Sequence, residues 1–105
     1  MAILNTMLGT SETIVCQVGT GETRALLSMI FCNNSSSAVT LNVWAYPSGG
    51  AASNTTKIIT TYSIPAYDSL VWTADEKLIL DEGSVISATS STGAVVSCLV
   101  NYMLI

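Results

Sequence analysis

Catalysis needs groups that move a proton, attack a bond or hold a metal, and this chain supplies few of them. It has no His, so the commonest general base and metal ligand is missing. Serines are plentiful, and Lys57 and Lys77 allow a formal Ser–Lys pair, but no G-x-S-x-G elbow marks a nucleophile. Paired carboxylates for glycoside hydrolysis would have to come from turn acids such as Asp68 and Asp81, where an acid more often caps or solvates the turn. Asp75, Glu76, Asp81 and Glu82 lack the alternating oxygen ligands of a calcium loop. Gly19-Thr20-Gly21 opens like a phosphate loop, but no third Gly and no helix pattern follow it. Cys16, Cys32 and Cys98 form an odd set with no CxxC spacing, unlike a disulfide framework. Each lies in an apolar run, where a free thiol behaves as a small hydrophobe. We expect three reduced core cysteines, with a Cys16–Cys98 or Cys16–Cys32 bridge, or a three-Cys metal site, as the alternatives. The expectation is a protein that is not an enzyme and carries no cofactor.

The bulk composition says what the chain does with its residues instead. At 105 residues it is long enough for one domain with a single modest core. Half of it is apolar and only 10% is charged, against about 25% charged in an average soluble domain. A small sandwich cannot hide that much apolar surface, and the surplus predicts a partner surface and hence an oligomer. Net charge is −4, with Arg24, Lys57 and Lys77 the only cations, so no basic cluster is available for a nucleic acid backbone. The start of the chain lacks a basic n-region, and Asn5 and Thr6 interrupt its apolar run, which makes a poor signal peptide. The apolar run over 94–105 is too short for the ~20 residues of a membrane span. The reading is a soluble chain without membrane contact.

The elements that position these residues are short strands and turns. Alternation predicts strands over 13–18, 24–33, 39–46, 57–64, 68–73, 84–90 and 94–104, with Leu78-Ile79-Leu80 a further short run. Pro65-Ala66-Tyr67-Asp68 and Asp81-Glu82-Gly83 are turn chemistry: Pro fixes φ, Asp bonds to the local backbone, and Gly tolerates positive φ. Ala74-Asp75-Glu76-Lys77 reads as a charged bend. No stretch has a capped helical period. Seven or eight such strands predict an all-β, antiparallel sandwich of jelly-roll or immunoglobulin-like type. Residues 1–11 read as an N-terminal arm and 12–105 as the sandwich domain.

Candidate contact residues follow from apolar side chains with no obvious place inside. Met7 and Leu8 anchor the arm. In the strand over 24–33, Leu26, Ile30 and Cys32 fall on one face with Ser28, and Leu27, Met29 and Phe31 on the other, so the strand is either sandwiched centrally or exposes one apolar face to another chain. Trp44 and Tyr46 share the outward face of their strand; they read either as an aromatic pair covering the sheet or a loop, or as interface anchors, with a sugar-stacking platform as the further alternative. Asn33, Asn34 and Asn54 match N-x-[ST], which carries weight only in a secreted eukaryotic protein.

Six segments carry a resemblance. They are Val18-Gly19-Thr20-Gly21, Phe31-Cys32-Asn33, Ser35-Ser36-Ser37-Ala38, Pro47-Ser48-Gly49-Gly50, Ile64-Pro65-Ala66-Tyr67-Asp68-Ser69-Leu70-Val71, and Leu80-Asp81-Glu82-Gly83-Ser84-Val85-Ile86-Ser87-Ala88. In that order and spacing the chain resembles a family of small β-sandwich virion proteins of tailed bacteriophages, including cyanophages. It departs from the pattern at Gly19, where the family's first turn has Pro. The resemblance implies a structural protein of a virion, made in the host cytoplasm and placed on the outer capsid surface. The expected form is a capsid decoration (cement) protein, a homotrimer that braces neighbouring copies of the major capsid protein. The alternatives are a tail, baseplate or head-fibre adaptor contacting other virion proteins, and a glycan-binding module using Trp44, Tyr46 and Trp72.

Overall fold

Short apolar–polar runs separated by turn residues close into eight strands. They are β1 (Ala2–Met7), β2 (Thr13–Gln17), β3 (Arg24–Asn33), β4 (Val39–Tyr46), β5 (Lys57–Ile64), β6 (Ser69–Leu80), β7 (Val85–Ser90) and β8 (Val96–Leu104). The computed structural model describes residues 2–105, with side chains at 3–73 and 78–105. The first sheet has strand order β1-β8-β3-β6 and the second β2-β7-β4-β5. Every pairing is antiparallel. The pairs β1·β8, β2·β7, β3·β6 and β4·β5 are the rungs of one long double hairpin, which rolls up so that β8 meets β3 and β7 meets β4. That topology is the jelly roll, and it sets aside the immunoglobulin-like alternative.

β1 corrects the expectation of an arm. Residues 2–7 pair in register with β8, from Ala2 opposite Tyr102 to Met7 opposite Ser97. The segment is an edge strand of the sandwich itself. Leu8, one residue beyond it, is 1% exposed in the core, and its backbone N–H donates to the Val96 carbonyl at 2.9 Å.

Both turns picked out by their residue types form. Asp68 N–H donates to the Pro65 carbonyl (3.1 Å) and Ser84 N–H to that of Asp81 (3.0 Å). Gly83 has φ of +80°, and a Cβ there would lie 2.7 Å from Cβ of Ser48. A side chain at that position is therefore opposed twice, by backbone strain and by the loop packed on it. The charged bend expected over residues 74–77 is corrected: the backbone there belongs to β6, which joins the two short strands expected on either side of it, and the pairing with β3 shifts register across it.

Three irregularities break simple alternation. The register of β3 against both β6 and β8 shifts between Leu26 and Ser28, and that of β2 shifts between Ile14 and Cys16. A bulge changes which face the following residues occupy. Leu26, Met29 and Phe31 are all buried as a result. The third is on β5, where Thr61 has φ of +46° and its N–H donates to Oδ1 of Asn42 at 2.8 Å. A β-branched residue rarely adopts that backbone region, and the Asn42 amide holds it there.

The core between the sheets is continuous, with Phe31, Leu26, Met29, Leu41, Ile64 and Ile86 among its largest fully buried side chains. Cys16 and Cys98 belong to it as free, buried thiols. Cys32 is also free and half-buried, so neither disulfide considered from the sequence forms. Burial pushes the Cys98 thiol up to about 12 and raises that of Cys16 as well. The thiolate is the reactive form. In native protein an alkylating reagent should therefore modify Cys32 first, with the other two reacting only in denaturant. Mass spectrometry of briefly labelled native protein checks this, and equal labelling of all three would contradict the packing.

Candidate interaction surface

Antiparallel register arranges side chains in rows across a sheet, and on the outer face of the first sheet those rows can be read directly. One row runs Asn5–Leu99–Ile30–Val71. Its neighbours are Met7–Ser97–Cys32–Ser69 and Ile3–Asn101–Ser28–Thr73. Ile3 and Val71 are each 59% exposed and Met7 51%, while Ile30 and Leu99 are half-buried by their neighbours. The polar members are hydroxyls and carboxamides, and none of these twelve residues is charged. The described acidic side chains, Glu12, Glu22, Asp68, Asp81 and Glu82, all lie in connections between strands.

The outer face of the second sheet is built differently. Its row Ile14–Ser87–Trp44–Lys57 crosses all four strands. Nζ of Lys57 stands 5.5 Å from the centroid of the Trp44 ring, within cation–π range. One strand position on, the Tyr46 hydroxyl donates to Oε2 of Glu12 at 2.5 Å. Ser87 lies beneath, fully buried, and its hydroxyl has no partner in hydrogen-bonding geometry. The Tyr46 hydrogen bond holds the Glu12 carboxyl below its ordinary value. The same bond to Glu12 raises the Tyr46 phenol.

A Tyr46→Phe substitution should therefore return the Glu12 titration midpoint upward, towards the ordinary ~4.3 of a glutamate. Carboxyl NMR shifts followed against pH measure it, and an unmoved midpoint would mean the bond is not made in solution. Glu12 contributes stability above its unfolded pKa that is lost as pH falls through the lowered folded value. Tyr46 contributes below its unfolded pKa, and that contribution is lost as pH rises through the raised folded value. Both groups are largely solvated, so both stability effects are small.

Two other features have polar character. A shallow cleft of about 250 Å3 opens between the ends of β4 and β6, lined by Tyr46, Pro47, Leu78, Ile79 and Asp81 among others. It is smaller than the ~300–1,000 Å3 usual for ligand pockets. At one end of the sandwich the Arg24 guanidinium stacks 4.4 Å from the Tyr102 ring centroid, pairs with Glu22 at 3.1 Å and donates to Sγ of Cys16 at 3.7 Å. Among the described residues no group of three or more His, Cys, Asp and Glu gathers as a metal site.

The residues singled out as interface candidates do not share one surface. Met7 is exposed on the first sheet's outer face, as expected of a contact residue. Leu8, Met29 and Phe31 are corrected: they are core residues, at most 1% exposed, and cannot be offered to a partner without unfolding. The β3 bulge is the reason for Met29 and Phe31, since after it Ile30 and Cys32 take the outward positions. Leu27 sits half-buried at the bulge. Trp44 and Tyr46 do share a face, on the opposite side of the molecule from Met7. Trp72 packs against the core from the first sheet, so the three aromatics proposed for stacking sugars are not a common platform. The contact candidates that sequence reasoning missed are Ile30, Leu99, Val71 and Ile3. Leu99 was legible, since it alternates with the inward Val96, Cys98 and Val100.

The fold is therefore an all-β jelly roll with one outer sheet face whose three central rows are uncharged and partly apolar. No family model, curated protein sequence or solved structure matches the chain.

Proposed function

We propose that the chain is a structural subunit of a tailed-phage virion, a capsid decoration protein that acts as homotrimers bracing neighbouring capsid subunits. The observation that carries this reading is where the apolar surplus goes. The core takes part of it, and among the exposed large hydrophobics Ile3, Met7 and Val71 lie together on one outer sheet face whose three central rows bear no charge. Such a face suits burial against other protein, with about 25 cal/mol gained per Å2 of apolar area removed from water. The segment resemblance supports the virion setting, and the absence of His supports a structural role over a catalytic one.

The test uses particles of the phage that encodes the chain. Peptides of this protein should be recovered from purified virions, and cryo-EM should place it on the outer capsid at a fixed copy number. Particles assembled without it should take up the purified protein saturably and release their genome at a higher temperature once decorated. Its location on the tail would transfer the role to an adaptor. Its absence from purified virions would end the proposal.

A further inference from the structure

We infer that the outer face of the first sheet is the surface through which copies of this chain meet one another, an inference that rests on the assembly reading above and gives it a location. Three observations select a second copy as the occupant. The first is charge. The molecule carries a net charge of −4, and every described acidic side chain lies in a connection between strands. The twelve residues of its three central rows are uncharged, so over them two copies can approach without setting carboxylates against each other. A basic partner would be drawn to the acid-bearing connections instead, and nucleic acid would find no cation in these three rows.

The second observation is chemical self-similarity. The face alternates exposed aliphatic groups (Ile3, Met7, Val71) with hydroxyls and carboxamides (Ser28, Ser97, Asn101). Hydroxyls and carboxamides both donate and accept, so such a surface can satisfy another like it. The third is size. Four strands ~4.8 Å apart and about seven residues long at ~3.3 Å each project ~440 Å2 per copy. Two copies give ~900 Å2 before side-chain relief is counted, approaching the ~1,200 Å2 at which specific interfaces begin. Two copies would set this face against itself. Three copies about a three-fold axis would set it against a neighbour's flank. Either contact removes Val71 and Cys32 from water.

Sedimentation equilibrium of the purified full chain between 5 and 500 µM, roughly the span in which such interfaces saturate, tests the inference. The expected result is a mass that rises above the 11.0 kDa of one copy. Val71→Glu places a carboxylate in the contact and should weaken association at least ~100-fold, with monomer unfolding at low concentration unchanged. Ile58→Glu, at an exposed position on the edge of the other sheet, should associate like wild type. In wild type, Cys32 alkylation should slow as the protein is concentrated, and in the Val71→Glu variant it should not. If V71E lowers monomer stability, Ile3→Glu on another strand of the same face repeats the test. Association that survives V71E and is lost in I58E overturns the face and leaves assembly standing. A wild-type chain that stays monomeric yet binds particles overturns self-contact here and leaves the virion role standing.

Discussion

Phe31→Ala should cost about 3–5 kcal/mol of folding stability, as truncating a buried aromatic does elsewhere. The ring is fully buried on the inner face of β3, with Cys98 of β8 and Leu70 of β6 directly across in register. Those neighbours sit on paired strands and cannot close in without breaking the ladder, so a cavity remains. A domain of this size has roughly 5–15 kcal/mol in total, and each kcal/mol is worth about 4–8 °C of melting temperature. The variant should therefore melt roughly 12–40 °C lower by circular dichroism, near the edge of stable folding. Met7→Ala, on the exposed edge strand, should move stability by no more than ~0.5 kcal/mol. The pair separates the two roles that the sequence confuses. A Phe31→Ala protein that unfolds within ~1 kcal/mol of wild type, but no longer self-associates, would return Phe31 to the surface.

Asn33→Asp should be comparably damaging, through polar chemistry. The Asn33 side chain is fully buried. Its Nδ2 donates to the carbonyls of Ser37 (2.9 Å), Ile64 (3.1 Å) and Pro65 (3.1 Å). Its Oδ1 accepts from the backbone N–H (3.0 Å) and hydroxyl (2.8 Å) of Ser35. The amide thus ties the end of β3 to the Pro65 turn. An aspartate keeps the accepting oxygen but aims its second oxygen at three carbonyls. A buried carboxylate without a donor costs about 3–5 kcal/mol at neutral pH. The new acid's folded pKa should lie above the unfolded ~3.9. Stability should accordingly recover as pH falls through the folded value towards ~3.9, the reverse of an ordinary salt-bridged acid. Urea unfolding of Asn33→Asp and Asn33→Ala at pH 4 and 7 reads this out. A pH-independent loss equal in the two variants would mean that the carbonyls are not facing the side chain.

How much of this was legible in the sequence depends on whether the cause is local. The spans of β3, β4 and β5 follow from alternation of residues two apart. The turns at Pro65 and Gly83 follow from residues whose own backbone preferences make them. Met29 and Phe31 were misplaced because alternation assumes an unbroken register, and the extra residue in β3 reverses the count. The first strand was read as an arm because an edge strand with Ile3 and Met7 outward has no clean polar face to betray it. Asn33 looked like one more residue of a polar loop matching a glycosylation pattern. Its acceptors at Ile64 and Pro65 lie more than thirty positions away, where no spacing rule reaches. Trp44 and Tyr46 were correctly placed together, but their distance from Met7 is a matter of which sheet each strand joins. That is fixed by topology.

The left-handed residue in β5 matters for what the molecule avoids. β5 is an outer strand of its sheet, and Ile58, Thr60 and Tyr62 along it are exposed. A long outer strand of that kind, with Lys57 at its start as its one charge, is an open template for another molecule's backbone, the route by which soluble β-proteins grow into fibrils. The kink at Thr61, fastened by Asn42, throws its row of N–H and C=O groups out of step halfway along. An incoming strand could match the near half or the far half, but not both. Pairing along β5 between crowded copies is thereby held to part of its length.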